Sequence, residues 1–154
     1  MEGPLSPELL AEVTKRAKVQ IRKRMKAVRQ SHPAAALAAR SVQLAERAKE
    51  IPGLSEARGV ALYWPLVERG EIDLRALDAW LRERGVRVYY PFMEPKERPG
   101  AFRTGFRLSA SADDVILRGR TFAEPPPEAA EAKPGDVDFV FVPALAADGR
   151  GHRI

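Results

Sequence analysis

The chain has 154 residues, 45% apolar and 31% charged, with a net charge of +5, a composition suited to one soluble globular domain with a core of its own. It holds no Cys and only two His, His32 and His152, which excludes disulfides, thiol nucleophiles and Cys-ligated metals and leaves little for a His-based zinc site. No apolar run approaches bilayer-spanning length, and the amino terminus MEGPLSPELLAEV lacks the basic-then-apolar order of a secretory signal; no membrane association and a cytoplasmic setting are expected. From Pro7 to Gln30, Leu10, Val13, Ala17, Ile21, Met25 and Val28 recur at steps of three or four, which predicts a helix capped by Ser6. Its cations cluster, with Lys18 and Arg22 beside the apolar stripe and Lys15, Lys26 and Arg29 farther round. A second helix is expected over AAALAARSVQLAERAKEI, capped at Ser31, with Leu37, Leu44 and Ala48 inward, and ended by Pro52 and Gly53.

GVALYW (59–64), DLRALDAWLRERG (73–85) and VRVYYPFM (86–93) follow as apolar run, amphipathic helix and apolar run. That is the order of a β-α-β unit whose strands are covered on both faces. A weak strand is expected near 101–108, and the Pro-rich EPPPEAAEAKPGD (124–136) reads as an extended surface connector. VDFVFVPA (137–144) is the clearest strand, and ADGRG after it is a turn. The predicted fold class is α/β: a mainly parallel sheet with flanking helices, behind an amino-terminal helical pair.

Ligands of open α/β sheets gather at the carboxyl ends of strands. PLVERGEID after Trp64 places Glu68, Glu71 and Asp73 at one such end, and ALAADGRGHRI places Asp148, Arg150 and Arg153 at another. Plainer roles stand beside these: Asp73 as a helix cap, Glu71 as a charge at a helix start, Trp64 as rim packing, Lys18 and Arg22 as solvated charges, His152 as a polar loop residue.

Taken in order, KVQIR with Lys18 and Arg22, ARS (39–41), VALYWP…GEID (60–73), the late EP (124–125) and DFVFVPALAADGRGHRI resemble the 5-formyltetrahydrofolate cyclo-ligases, also called methenyltetrahydrofolate synthetases. The resemblance runs through nearly the whole chain, and the last motif is its most specific part. It implies a Rossmann-like three-layer fold and the ATP- and magnesium-dependent closure of 5-formyltetrahydrofolate, polyglutamylated or not, to 5,10-methenyltetrahydrofolate with release of ADP and phosphate. It implies Lys18, Arg22 and Arg153 for ATP, and Trp64 and Glu71 for the folate. Aligning Glu71 needs a small insertion around Arg69 and Gly70, so Glu68 competes with it. No catalytic residue is singled out.

In the family, an apolar residue and then a Gly-rich, Tyr-containing loop ending in Asp follow the Arg that corresponds to Arg153. That loop cradles the phosphates and helps hold magnesium. Its place lies beyond Ile154, so no metal ligand is expected in this chain, which reads as one domain (1–154) incomplete at its carboxyl end. Ala147 stands where the family commonly has an aromatic residue. The rival reading is a truncated, non-catalytic folate or nucleotide binder. Nucleic acid is not an expected partner, because no aromatic residue is interleaved among the cations of the first helix.

Overall fold

The computed structural model describes residues 6–118 and 122–154. Residues 1–5, on which the absence of a secretory pattern partly rests, lie outside that description. The chain divides into two compact units, Met1–Pro33 with Ala144–Ile154, and Ala34–Pro143.

In the first unit, helix α1 spans Pro7–Gln30, with Ser6 Oγ accepting the Leu9 N–H at 3.3 Å and Pro7 in the first turn. None of its residues is buried: Leu10, Val13 and Val28 of the apolar stripe stand more than two-fifths exposed, at 54%, 48% and 44%. Ser31 closes this helix rather than opening the next, its N–H reaching Ala27 O and its hydroxyl donating to Val28 O at 2.8 Å. The expected cap of the second helix is thus a carboxyl-terminal cap of the first. A Ser after a last turn satisfies orphan carbonyls as readily as one before a first turn satisfies orphan amides. Ala144–Ile154 doubles back on itself: Leu145 N–H donates to Ile154 O at 2.8 Å and Ile154 N–H to Ala146 O at 2.9 Å.

In the second unit, α2 (Ala34–Lys49) buries Ser41, Ala45 and Ala48. Leu44, expected inward, is 41% exposed; the small residues let α2 approach α3 (Arg75–Glu83) closely and leave Leu44 on the flank. Strands β1 (Gly59–Ala61), β2 (Arg87–Pro95), β3 (Phe102–Leu108) and β6 (Phe139–Val140) form a mixed sheet in the order β3-β2-β1-β6. The pairs β1/β2 and β1/β6 are parallel, and β3 is antiparallel to β2 from Tyr89↔Leu108 to Pro95↔Phe102. β1-α3-β2 is therefore the expected β-α-β unit. All of β1 is buried, as are the successive β2 residues Val88, Tyr89 and Tyr90, which is why these strands read as unbroken apolar runs. α3 lays Leu77 and Leu81 on the sheet, together with one polar residue, Asp78, only 2% exposed.

Two expectations need correction. The strand near 101–108 is a regular seven-residue edge, not a weak one. The Pro-rich connector does not merely cross the surface: Pro125 is fully buried, and Leu108 N–H donates to Ala130 O and Ala132 N–H to Phe106 O, each at 2.9 Å. It lies along β3 and satisfies a donor and an acceptor that an open edge would expose. A further two-stranded ribbon pairs β4 (Ile116–Leu117) with β5 (Ala123–Glu124). The run read as the clearest strand is poorly buried: Val140 and Val142 are 49% and 46% exposed, because β6 pairs only with β1 among the described residues. No described helix is long and apolar enough to cross a membrane.

Candidate functional site

The residues singled out in the sequence fall into both units. Lys18 and Arg22 are exposed on α1 and border one hollow of about 640 Å³, with Leu10, Thr14, Lys15 and Val19 beside them. One turn of helix separates the two cations, so they project from one side. Arg153 belongs to the same unit, exposed on the terminal segment, where it is bridged by backbone to Ala147. The turn between them is set by Asp148, whose carboxylate accepts the N–H of Arg150 and of His152 and meets His152 Nδ1, each at 2.9 Å. Gly151, at φ 84°, supplies the left-handed residue the turn requires. The bond to His152 is the largest cause holding the Asp148 carboxyl below its ordinary range. His152 is thus part of the turn's framework, and the cations Arg150 and Arg153 are carried on it.

In the second unit, Trp64 and Glu71 share the loop that leaves the carboxyl end of β1. The sheet ladder runs one residue past the strand, Leu62 N–H to Tyr89 O at 2.9 Å, before the chain turns out at Tyr63. Tyr63 donates its hydroxyl to Ile72 O at 2.9 Å, drawing the two ends of the loop together. Inside this closure, Leu66 N–H donates to the Glu71 carboxylate at 3.0 Å and Glu71 N–H to Leu66 O at 3.3 Å, around a short 3-10 turn, Val67–Arg69. Gly70 ends that turn at φ 70°, the conformation that favours glycine. The residues that looked like an insertion, Arg69 and Gly70, are the end of this turn. Its geometry separates the two carboxylates: Glu68 is exposed on the turn, whereas Glu71 is half-buried and tied back to the segment that follows Trp64.

Trp64 is half-buried. Tyr90 packs against it nearly perpendicular, with centroids 5.6 Å apart and planes at 68°, and the Arg75 guanidinium lies 5.9 Å from its ring centre. Arg75 is itself gripped by Asp73, whose Oδ1 also accepts the Arg75 N–H at 2.9 Å at the start of α3. The cap position of α3 belongs to Leu74, which makes no side-chain cap bond, so Asp73, expected as the cap, instead accepts the first helical N–H from one residue earlier. The Arg75 side chain is the largest cause holding the Asp73 carboxyl below its ordinary range. A depressed carboxyl stabilises the fold above its unfolded value and loses that contribution as pH falls through the folded one. The stability difference between the wild type and Asp73→Asn, measured by urea unfolding, is therefore expected to be present at neutral pH and to shrink as pH falls below about 4.

Sequence reasoning missed the residues that hold the loop. Ser41 is 6% exposed; its Oγ donates to Leu37 O at 2.9 Å and accepts the Asp73 N–H at 3.0 Å. The Ser of the ARS motif therefore fixes α2 to the far end of the loop carrying Glu71. A buried Ser on an otherwise small-residue helix face was the available signal. Tyr90 and Asp78 gave none, because a tyrosine in an apolar strand and an acid in an amphipathic helix look ordinary. Among the described residues no group of three or more His, Asp or Glu could hold a metal ion.

Residues 14–154 match the model of the 5-formyltetrahydrofolate cyclo-ligase family. The chain belongs to that family. The cyclo-ligase fold is matched as well: the NMR structure of Aquifex aeolicus 5,10-methenyltetrahydrofolate synthetase aligns at a TM-score of 0.71 and 25% identity, over 88% of this chain and 65% of that one. This cyclo-ligase sequence therefore spans about two-thirds of the length of that relative. A search of curated proteins finds no match. The cyclo-ligase match takes in Lys18, Arg22, Trp64, Glu71 and Arg153 together.

Proposed function

We propose that this chain takes part in the ATP-dependent cyclisation of 5-formyltetrahydrofolate to 5,10-methenyltetrahydrofolate, with release of ADP and phosphate. The observation that carries the reading is the continuous family match over residues 14–154, which contains all five candidate residues. The chemistry asks for two kinds of surface. Phosphoryl transfer from ATP to the formyl oxygen needs positive charge around the triphosphate; Lys18, Arg22 and Arg153 supply it from one unit. The folate needs a flat apolar wall for its ring system and a carboxylate to accept from its polar N–H edge; Trp64 and Glu71 supply these from the other. Once the formyl oxygen carries the phosphoryl group, N10 attacks the formyl carbon and releases its proton to solvent, and phosphate departs with the former formyl oxygen, which leaves the conjugated methenyl ring. Magnesium bound with ATP would supply charge neutralisation at the transferring phosphoryl group.

The test is steady-state kinetics, following ADP and the methenyl product with ATP, Mg2+ and 5-formyltetrahydrofolate. Lys18→Ala and Arg22→Ala are expected to raise KM for ATP about tenfold and leave KM for the folate in place, while Glu71→Ala does the reverse. Unchanged kinetics in all three variants would overturn the site assignment. Calorimetric binding of 5-formyltetrahydrofolate without ADP formation would favour a folate-binding relative.

A further inference from the structure

The aromatic wall of the folate site is half-exposed, yet a rigid structure stands behind it. Tyr90, 1% exposed, meets Trp64 at near right angles. Its hydroxyl donates to Asp78 Oδ1 at 2.9 Å. Asp78, also buried, accepts from Arg82 Nε at 2.9 Å through its other oxygen. Arg82 in turn donates to Ser109 O at 2.7 Å and to Ser109 Oγ at 3.1 Å, and the Ser109 hydroxyl donates to Ser111 O at 2.6 Å. Strand β2, helix α3 and the segment after β3 are joined through this chain of bonds, and its last member against the loop is the Tyr90 ring.

We propose that Tyr90 is a positioning residue: its buried ring, held by its packing in the core, fixes the plane of the Trp64 indole and so prepares the wall on which the folate ring stacks. The inference rests on the reading of Trp64 as a substrate residue. An indole on a surface loop would otherwise lose rotamer freedom each time it ordered against a ligand, and a wall ordered beforehand avoids that loss. Perpendicular aromatic pairs are favourable beyond the area they bury, because the positive edge of one ring meets the negative face of the other. Arg75, near the same indole and gripped by Asp73, adds a second restraint.

The experiment uses a Trp80→Phe background, in which Trp64 is the sole fluorophore of its kind. Trp64 anisotropy and the affinity for 5-formyltetrahydrofolate are read in Tyr90→Leu and Tyr90→Phe. Tyr90→Leu is expected to lower the anisotropy and weaken folate binding about 2- to 10-fold, whereas Tyr90→Phe, which keeps the ring, stays within about twofold of the parent in both. Should Tyr90→Leu fail to fold, Tyr90→Met, whose unbranched side chain adapts to the space without a flat ring, carries the same expectation. A folded Leu or Met variant with parental anisotropy would overturn the proposal, as would Tyr90→Phe losing as much as Tyr90→Leu. Trp64→Leu, tested for folate affinity alone, isolates the underlying reading: unchanged affinity there overturns the substrate role of Trp64, while the anisotropy still decides what orients it.

Discussion

Asp78→Ala is expected to lower the unfolding free energy by about 3 kcal/mol, from a range of about 3–5 kcal/mol for removing one partner of a buried ion pair. Asp78 is 2% exposed and has two partners, the Arg82 guanidinium and the Tyr90 hydroxyl, each at 2.9 Å. Deleting the carboxylate leaves the hydroxyl without that acceptor and the guanidinium without its counter-charge, and each loss carries a desolvation penalty. The lower end of the range applies because the Arg82 side chain is 22% exposed and keeps both bonds to Ser109. Asp78→Asn keeps an acceptor for Tyr90 and is expected to lose less. Urea unfolding decides the matter: the midpoint moves down at unchanged slope if the prediction holds. A loss below about 1 kcal/mol would mean that water reaches the pair.

That network also marks where the sequence stops being legible. The β-α-β unit could be read because covered parallel strands are unbroken apolar runs, and β1 and β2 are such runs. α1 could be read from its period, and the rule that ligands sit after strands pointed to the loop holding Trp64 and Glu71. What failed were properties of pairing and depth. VDFVFVPA is the most strand-like stretch, yet Val140 and Val142 stand half in solvent while Phe139 and Phe141 pack on the core, since apolar composition does not say how many neighbours a strand has. The Pro-rich connector was read from its φ restrictions alone, although its remaining amides and carbonyls were free to pair with β3. Ser31 satisfies both capping rules, and only the direction of its bonds distinguishes them. In the candidate site, Ser41 and Asp73 are joined across 32 residues and Tyr63 and Ile72 across nine. A local pattern carries no trace of such contacts. The different settings of Glu68 and Glu71 could not be read either, since they depend on Gly70 ending a turn that leaves one carboxylate exposed and ties the other back.

Gly59→Ala is expected to destabilise the second unit by about 3 kcal/mol or more, through overpacking rather than loss of a contact. Gly59 needs no left-handed conformation; its φ is not positive. Space is the reason. A Cβ there would lie 2.2 Å from Asp136 O and 2.8 Å from Tyr89 Cε2, the first far inside any real contact. Asp136 O is backbone, in a turn closed by Asp136 N–H to Lys133 O at 3.0 Å and by Lys133 N–H to the Asp136 carboxylate at 2.8 Å. Moving it disturbs the entry to β6, where Asp138 N–H donates to Gly59 O at 2.9 Å. Gly105→Ala makes the useful contrast: its Cβ would meet the Phe92 ring at 2.9 Å, and a side chain yields more cheaply than a carbonyl, so about 1–2 kcal/mol is expected. Urea midpoints of the two variants test the ranking, and a Gly59→Ala loss no larger than that of Gly105→Ala would show that the 133–136 turn gives way freely. Because β1 runs from Gly59 directly into the loop of Trp64, a folded Gly59→Ala protein is also expected to bind 5-formyltetrahydrofolate more weakly, with every residue proposed to touch the folate still in place.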